Sequence, residues 1–324
     1  MDLLLDILGL VAGIAVLVWS ADVFVDGSAA FARRCGMSPL LIGMVIIGFG
    51  TSMPEMLVSA LAAVEHSPSI ALGNAYGSNI ANIGLILGLT ALLAPITVAR
   101  SVVWREIPLL IFATAIGGYF LRNGVITRPE AFLMLAAFVA IMVVNGMVPG
   151  GKKDVADADV KLIPLGKSIL MIVGGLLLLV GSSRLLVVCA IGIAKVLGVP
   201  DLIIGLTIVA IGTSLPELAS SIAAVRKREH DLVIGNIIGS NLFNTLAVVG
   251  IACAISPMTE GVQKEAVAQI IHRDIWVVGV LTLLLWVACI PWKRGCPAVI
   301  HRGEGFVLAL FFAGYLGWLV YCAL

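Results

Sequence analysis

Two hexapeptides, GTSMPE at 50–55 and GTSLPE at 212–217, set a proline, two hydroxyl side chains and a carboxylate inside long apolar runs. A proline in a helix donates no hydrogen bond and clashes with the carbonyl four residues earlier. Pro54 should therefore free the carbonyl of Gly50, and Pro216 that of Gly212. Thr51, Ser52, Thr213 and Ser214 add side-chain oxygens. At helical spacing Thr51 and Ser52 reach the face of Glu55, as Thr213 and Ser214 reach that of Glu217. Each hexapeptide reads as an oxygen cluster closed by a carboxylate. An isolated motif of this kind has a plain structural reading, a kink whose hydroxyls resatisfy the backbone. Repetition in register, with the glutamate retained, argues for more than a kink.

Downstream of each copy comes a second pattern: Gly73-Asn74, Ser78 and Asn82, then Gly235-Asn236, Ser240 and Asn244. Ser78/Asn82 and Ser240/Asn244 are again one helical turn apart, and the glycines permit close helix approach. Asn74, Asn79, Asn236 and Asn241 also suit interhelical amide hydrogen bonds. All these donors are oxygen, which favours hard cations such as Ca2+, Na+ or Mg2+ over zinc or copper. Two bidentate carboxylates and two backbone carbonyls would supply about six oxygens, within the range Ca2+ accepts, whereas Mg2+ demands a stricter octahedron. Two negative charges match one divalent ion. A lone carboxylate at mid-bilayer costs at least about 2.5 kcal/mol, so such acids need a cation or a proton at all times. That requirement is a chemical basis for exchange.

The elements carrying these residues are membrane helices. The 324 residues are 60% hydrophobic and 12% charged, with mean hydropathy +1.13, far from soluble composition. About ten spans follow, at 3–32, 40–64, 70–94, 103–121, 130–148, 166–195, 202–225, 232–255, 275–291 and 306–324. The alternating segments of a β-barrel are absent. With Asp2 and Asp6 and no cationic leader, the first span is expected to be a retained helix rather than a cleaved signal. The six cysteines lack metal-type spacing. A formal charge of +1 gives no argument for nucleic acid.

A shift of 162 residues superposes 40–98 on 202–260 without a gap, with 20 identities in 59 pairs that include Gly, Pro, Asn, Ser and Glu. The halves are expected at 1–148 (motif region 40–88) and 166–324 (motif region 202–250), joined by a cytoplasmic linker at 149–165. Five helices per half make the second half enter from the opposite side. Such inverted repeats place their site near the midplane, on discontinuous helices. With the N-terminus outside, inner loops hold fourteen Lys and Arg and outer loops five, so both termini are expected outside. Asp22, Asp26 and Arg184 are further charges at or within the spans, and Asp22 and Arg184 are mates under the shift. The cluster Arg226, Lys227, Arg228 reads as a solvated inner loop.

With GTSxPE and GNxxGSNxxN both duplicated at this separation, nearly the whole chain resembles the calcium/cation antiporter superfamily, particularly prokaryotic sodium/calcium exchangers. The resemblance implies an all-α membrane fold of two inverted five-helix repeats. The second, third, seventh and eighth helices would hold ions in a diamond, with the long first and sixth helices sliding to alternate access. Carried over by position, Glu55 and Glu217 become the principal ligands. Thr51 and Thr213 would offer backbone carbonyls to Ca2+, and Ser52, Ser78, Ser214 and Ser240 would serve Na+. Gly48 and Ala210 would turn backbone carbonyls to outer Na+ sites, while Asn82 and Asn244 complete the diamond. Some sodium/calcium exchangers carry Asp at the position of Asn244; here the site has two acids rather than three.

The expectation is a Na+/Ca2+ antiporter of a prokaryotic inner membrane, with H+ as the alternative counter-ion. Its partners would be the lipid bilayer, Ca2+ and Na+, with no resident cofactor, nucleic acid or obligatory protein partner. An intramembrane enzyme lacks an HExxH motif and any nucleophile paired with a buried histidine. A passive cation channel is the remaining class.

Overall fold

The computed structural model describes residues 3–147, 163–198, 208, 210–258, 264–291 and 298–323. The first half comprises α1 (Leu3–Cys35), α2 (Pro39–Thr51 with Met53–Val64), α3 (Ser69–Leu93), α4 (Val102–Leu121) and α5 (Arg128–Gly146). The second comprises α6 (Leu165–Val196), α7 (Ala210–Thr213 with Leu215–Arg226), α8 (His230–Ile255), α9 (Val267–Ala288) and α10 (Arg302–Cys322). Most of the linker expected at 149–165, and the start of the span expected from 202, lie outside the described residues.

Two boundaries need correction. The ninth span begins at Val267 rather than 275, because Arg273 pairs with Asp274 at 2.5 Å and lets the helix run through both charges. The tenth begins at Arg302 rather than 306. Glu304 Oε2 accepts the His301 N–H at 2.7 Å there, giving a charged first turn the favourable helix end.

Burial separates a core from a rim. The most apolar stretch of α8 is 89% buried and that of α3 72%, whereas those of α1, α6 and α10 are 22%, 28% and 17% buried. The rim helices turn large side chains such as Leu4, Leu170 and Leu310 outwards, as a lipid-facing surface requires. α1 and α6 run antiparallel against each other, with 33 and 32 residues. At 1.5 Å per residue each is about 50 Å long, so both must tilt to fit a bilayer core of about 30 Å.

Contacts between loops define two faces. On one, Arg33 pairs with Glu229 at 3.0 Å, and strands β1 (Ile96–Val98) and β2 (Ala298–Ile300) pair antiparallel with Ile96 opposite Ile300. On the other, Ile126 bridges Met258 and His66 Nδ1 lies 3.0 Å from Ser256 Oγ. Nothing in the sequence reading anticipated the strands, which are only three residues each. The alternation of faces is what an odd number of helices per half demands. The Arg33/Lys227 side is called the basic face below.

Candidate functional site

α2 breaks where its proline stands. The two parts of α2 meet at 47°, and Ser52 at the joint has φ −83°, ψ 2°; its mate Ser214 has φ −92°, ψ 7°. Both occupy the sparsely populated bridge region, where functional residues often sit. The helix before the α2 break is π-helical from Gly43 to Gly48. Two further π-helical stretches, Ala81–Leu87 and Phe243–Val248, carry Asn82 and Asn244 near their starts. Such bulges re-aim side chains that a regular helix would point elsewhere.

The breaks bring the halves together. Glu55 and Glu217 are buried, 0% and 2% exposed, with their carboxylates within electrostatic reach of each other. Ser52 Oγ donates to Glu217 Oε1 at 3.3 Å. Thr51 Oγ1 donates to the Ile47 carbonyl at 2.9 Å and lies 3.3 Å from Asn236 Oδ1. The bend at Ser52 brings both hydroxyls into contact with the other half, Thr51 with Asn236 and Ser52 with Glu217. Ser240 Oγ reaches the Gly48 carbonyl at 3.5 Å and Asn236 Oδ1 at 3.4 Å.

Several oxygens at this centre have no hydrogen-bond partner among the described residues. Both carboxylate oxygens of Glu55, Oε2 of Glu217, Ser214 Oγ, and the side-chain oxygens of Asn82 and Asn244 are buried without a hydrogen bond. Orphaned buried acceptors are costly, and their convergence from α2, α3, α7 and α8 suits a cation that accepts oxygen ligands. Among the described residues no three His, Cys, Asp or Glu side chains cluster, so two carboxylates set the acidic charge. Ser78 is buried on α3, and the backbone of Ala210 opens the described part of α7 beside Thr213.

One freed carbonyl is already occupied. Ser183 Oγ on α6 donates to the Gly212 carbonyl at 3.0 Å, in place of the N–H that Pro216 lacks. Ser183 has Ala21 as its mate, so the first half has no equivalent donor. Motif reading missed Ser183 because it is distant in sequence and unmatched in the repeat.

Three of the asparagines anticipated as packing groups bond between helices, while Asn241 Nδ2 donates to the Ile237 carbonyl of its own helix. Asn74 Nδ2 donates to the Glu55 carbonyl and to Ser59 Oγ, each at 3.0 Å. Asn236 Nδ2 lies 3.3 Å from the Glu217 carbonyl and 3.0 Å from Ser221 Oγ. These bonds fix the backbone that carries each glutamate. Asn79 Nδ2 donates across the repeat to Thr245 Oγ1 at 2.8 Å, a contact without a mate because Ile83 stands opposite Thr245 in the shift.

Two buried acids away from the centre were also missed. Glu106 and Asp274 are 1% and 5% exposed, and each pairs with the arginine just before it, Arg105 or Arg273. Tyr315 Oη donates to Asp274 at 2.7 Å. Their charge is neutralised locally by these arginines.

The family model described as "Sodium/calcium exchanger protein" matches residues 5–147 and 167–321. The protein CaxA of Alkalimonas amylolytica is 45% identical over 314 residues, covering 94% of this chain and 95% of that one. Inner membrane protein YrbG of Escherichia coli (strain K12) is 34% identical over 319 residues, covering 96% and 94%. Among solved structures, the sodium-calcium exchanger NCX_Mj soaked with zero Na+ and Ca2+ superposes with a TM-score of 0.80 at 28% identity, covering 97% of this chain and 98% of that chain.

Proposed function

The chain belongs to the sodium/calcium exchanger family, a family of multi-pass membrane cation antiporters, and on that premise we propose that it exchanges Na+ for Ca2+ by alternating access. One observation carries the proposal: the broken helices of two inverted halves converge on Glu55 and Glu217, and both carboxylate oxygens of Glu55 with Oε2 of Glu217 have no hydrogen-bond partner among the described residues.

Ca2+ would lie between the two carboxylates, which together supply its neutralising charge. The backbone carbonyls of Thr51 and Thr213 would complete its oxygen shell. Ser52, Ser78, Ser214 and Ser240, with the carbonyls of Gly48 and Ala210, would receive Na+ when Ca2+ leaves, and Asn82 and Asn244 would close the diamond. Of these, Ser52 already bridges the halves through Glu217, and Ser240 already touches the Gly48 carbonyl. Because two bare carboxylates in hydrocarbon are costly, the protein changes sides most readily when one cargo or the other is bound. That coupling makes it an exchanger rather than a leak or an enzyme. The relative NCX_Mj has been studied under Na+, Ca2+ and Sr2+ soaks, the same class of hard cations.

We place it in a prokaryotic inner membrane with the basic face and the 149–165 linker inside and both termini outside. The excess of Lys and Arg on that side and the relative named an inner membrane protein support this reading. Proteoliposomes loaded with Na+ should take up radioactive Ca2+ on dilution into Na+-free medium. Uptake that ignores Na+ and follows a pH gradient instead would replace Na+ by H+ as the counter-ion.

A further inference from the structure

We propose that Arg184 on α6 and Glu65 at the end of α2 form an ion pair that closes the face opposite the basic one, in the conformation where the pairing of Asp22 and Asp26 with Lys227 is broken. The inference rests on alternating access, though not on which ions are exchanged.

The internal symmetry that motivates it holds in three dimensions. A Cβ on Gly13 would strike Leu186, and one on Gly175 would strike Phe24; each residue of the first contact maps onto one of the second by 162. Ser20 and Ser182 donate to the carbonyls of Leu17 and Leu179, both at 3.1 Å. Beyond α2 and α7 the turns also match. Glu65 and Lys227 have φ −80°, ψ 7° and φ −86°, ψ 2°. His66 and Arg228 follow them with φ 55° and 60°, the described non-glycine residues of positive φ. Asp22 therefore corresponds to Arg184 and Lys227 to Glu65, with the charges of the pair reversed.

At the basic face this pair is formed. Lys227 Nζ lies 2.8 Å from Asp26 and 3.6 Å from Asp22, and Arg33 holds Glu229 beside them. α1 packs along Leu215–Arg226 there, burying Ala223 to 3% exposure. At the opposite face the counterpart is open. α6 scarcely touches Met53–Val64, and Met53, Leu57 and Leu61 are 47%, 60% and 54% exposed. Leu61 is the mate of Ala223. Arg184 and Glu65 are both exposed, and neither has an ion-pair partner among the described residues.

If the second half takes up the arrangement now held by the first, α6 lies on Met53–Val64 as α1 lies on Leu215–Arg226, and Arg184 comes to Glu65. Loop-charge topology accounts for Lys227 but not for an arginine well inside α6, where an unpaired charge is unfavourable. The two latches are unequal. Asp26 maps onto Val188 and Glu229 onto Ser67, so the opposite face has one such pair where the basic face has three contacts. The chain is thereby biased toward closure at the basic face.

Double electron-electron resonance between spin labels on Val64→Cys and Leu185→Cys tests this in the full chain, with its own six cysteines replaced by serine and the charges left in place. A short-distance population should be present. Lys227→Gln should enlarge it about three-fold, the size expected of a partly exposed ion pair. Arg184→Glu should remove it, and adding Glu65→Arg should restore it. With native cysteines retained, cation uptake should fall in Arg184→Glu and recover in the same double swap. A single long distance in every variant, or a double swap no better than Arg184→Glu, overturns the proposal. Should Na+ fail to drive uptake while the distances behave as stated, the ion assignment fails and the latch stands.

Discussion

The centre of the protein and its two faces treat the internal repeat in opposite ways. At the centre, many residues related by 162 are the same and are held alike: Asn74 and Asn236 bond the carbonyls of Glu55 and Glu217, and Ser52 and Ser214 share one backbone conformation. At the faces the same register sets Asp22 against Arg184 and Lys227 against Glu65. A cargo site has to serve in both conformations, so its two halves stay alike. The faces close one at a time and meet different sides of a membrane, so they can diverge in charge.

The largest expected effect tests whether the centre is two-fold in function. Glu55→Gln and Glu217→Gln should each lower Ca2+ uptake by about 100-fold, because losing half the charge of a divalent site costs about 3 kcal/mol. Neither should impair folding, since each removes a buried charge. Size-exclusion profiles in detergent would check that beside the flux assay. Losses that differ ten-fold between the two variants would break the equivalence.

Helix packing beneath the centre gives the next effect. A Cβ at Gly239 would lie 2.6 Å from the Met44 carbonyl, and one at Gly43 would lie 2.7 Å from that of Leu232. Backbone atoms cannot swing aside, so Gly239→Ala should destabilise the fold by about 1–3 kcal/mol, as overpacking does. Gly317→Ala on the outer surface of α10, where the added carbon meets nothing within 4 Å, should change stability by under about 0.5 kcal/mol. Thermal unfolding midpoints in one detergent would rank them.

Much of the centre was legible because its signal lies in residue types that hydrocarbon does not tolerate casually. Pro54, Glu55, Asn74 and Ser78 recur as Pro216, Glu217, Asn236 and Ser240, and chance similarity between apolar runs does not align such residues. What escaped depended on direction in space. The bend at Ser52 sends its hydroxyl to Glu217 rather than to Glu55, which no helical spacing encodes. Thr245 and Ser183 have Ile83 and Ala21 as mates, so a reading guided by repetition passes over them. Glu106 and Asp274 stand beside Arg105 and Arg273 near the starts of their spans, where paired charges read as helix-end polarity until the pairing is seen in space.

Thr245 also sharpens the comparison, because, like Ser183, it departs from the repeat inside the core. Thr245→Val keeps the shape and leaves Asn79 Nδ2 without its acceptor. The cost should be about 1 kcal/mol, within the span measured for interhelical hydrogen bonds in membranes. Thr245→Ser should recover most of it. Unfolding midpoints unchanged in the valine variant would mean that Asn79 finds another partner and that the cross-repeat bond adds little.

The smallest effect belongs to the faces. Arg33 and Glu229 meet at 3.0 Å with side chains 43% and 25% exposed, so solvent and salt both weaken the pair. Arg33→Ala should cost about 0.5 kcal/mol at low ionic strength, and less near 1 M salt, where the screening length falls to about 3 Å. The Thr245→Val penalty should not respond to salt, because that bond is buried and uncharged. Unfolding midpoints of both variants across a salt series separate the regions directly. A salt-independent Arg33→Ala penalty would mean that the arginine stem stabilises the face by packing, and that the basic face is held by more than charge.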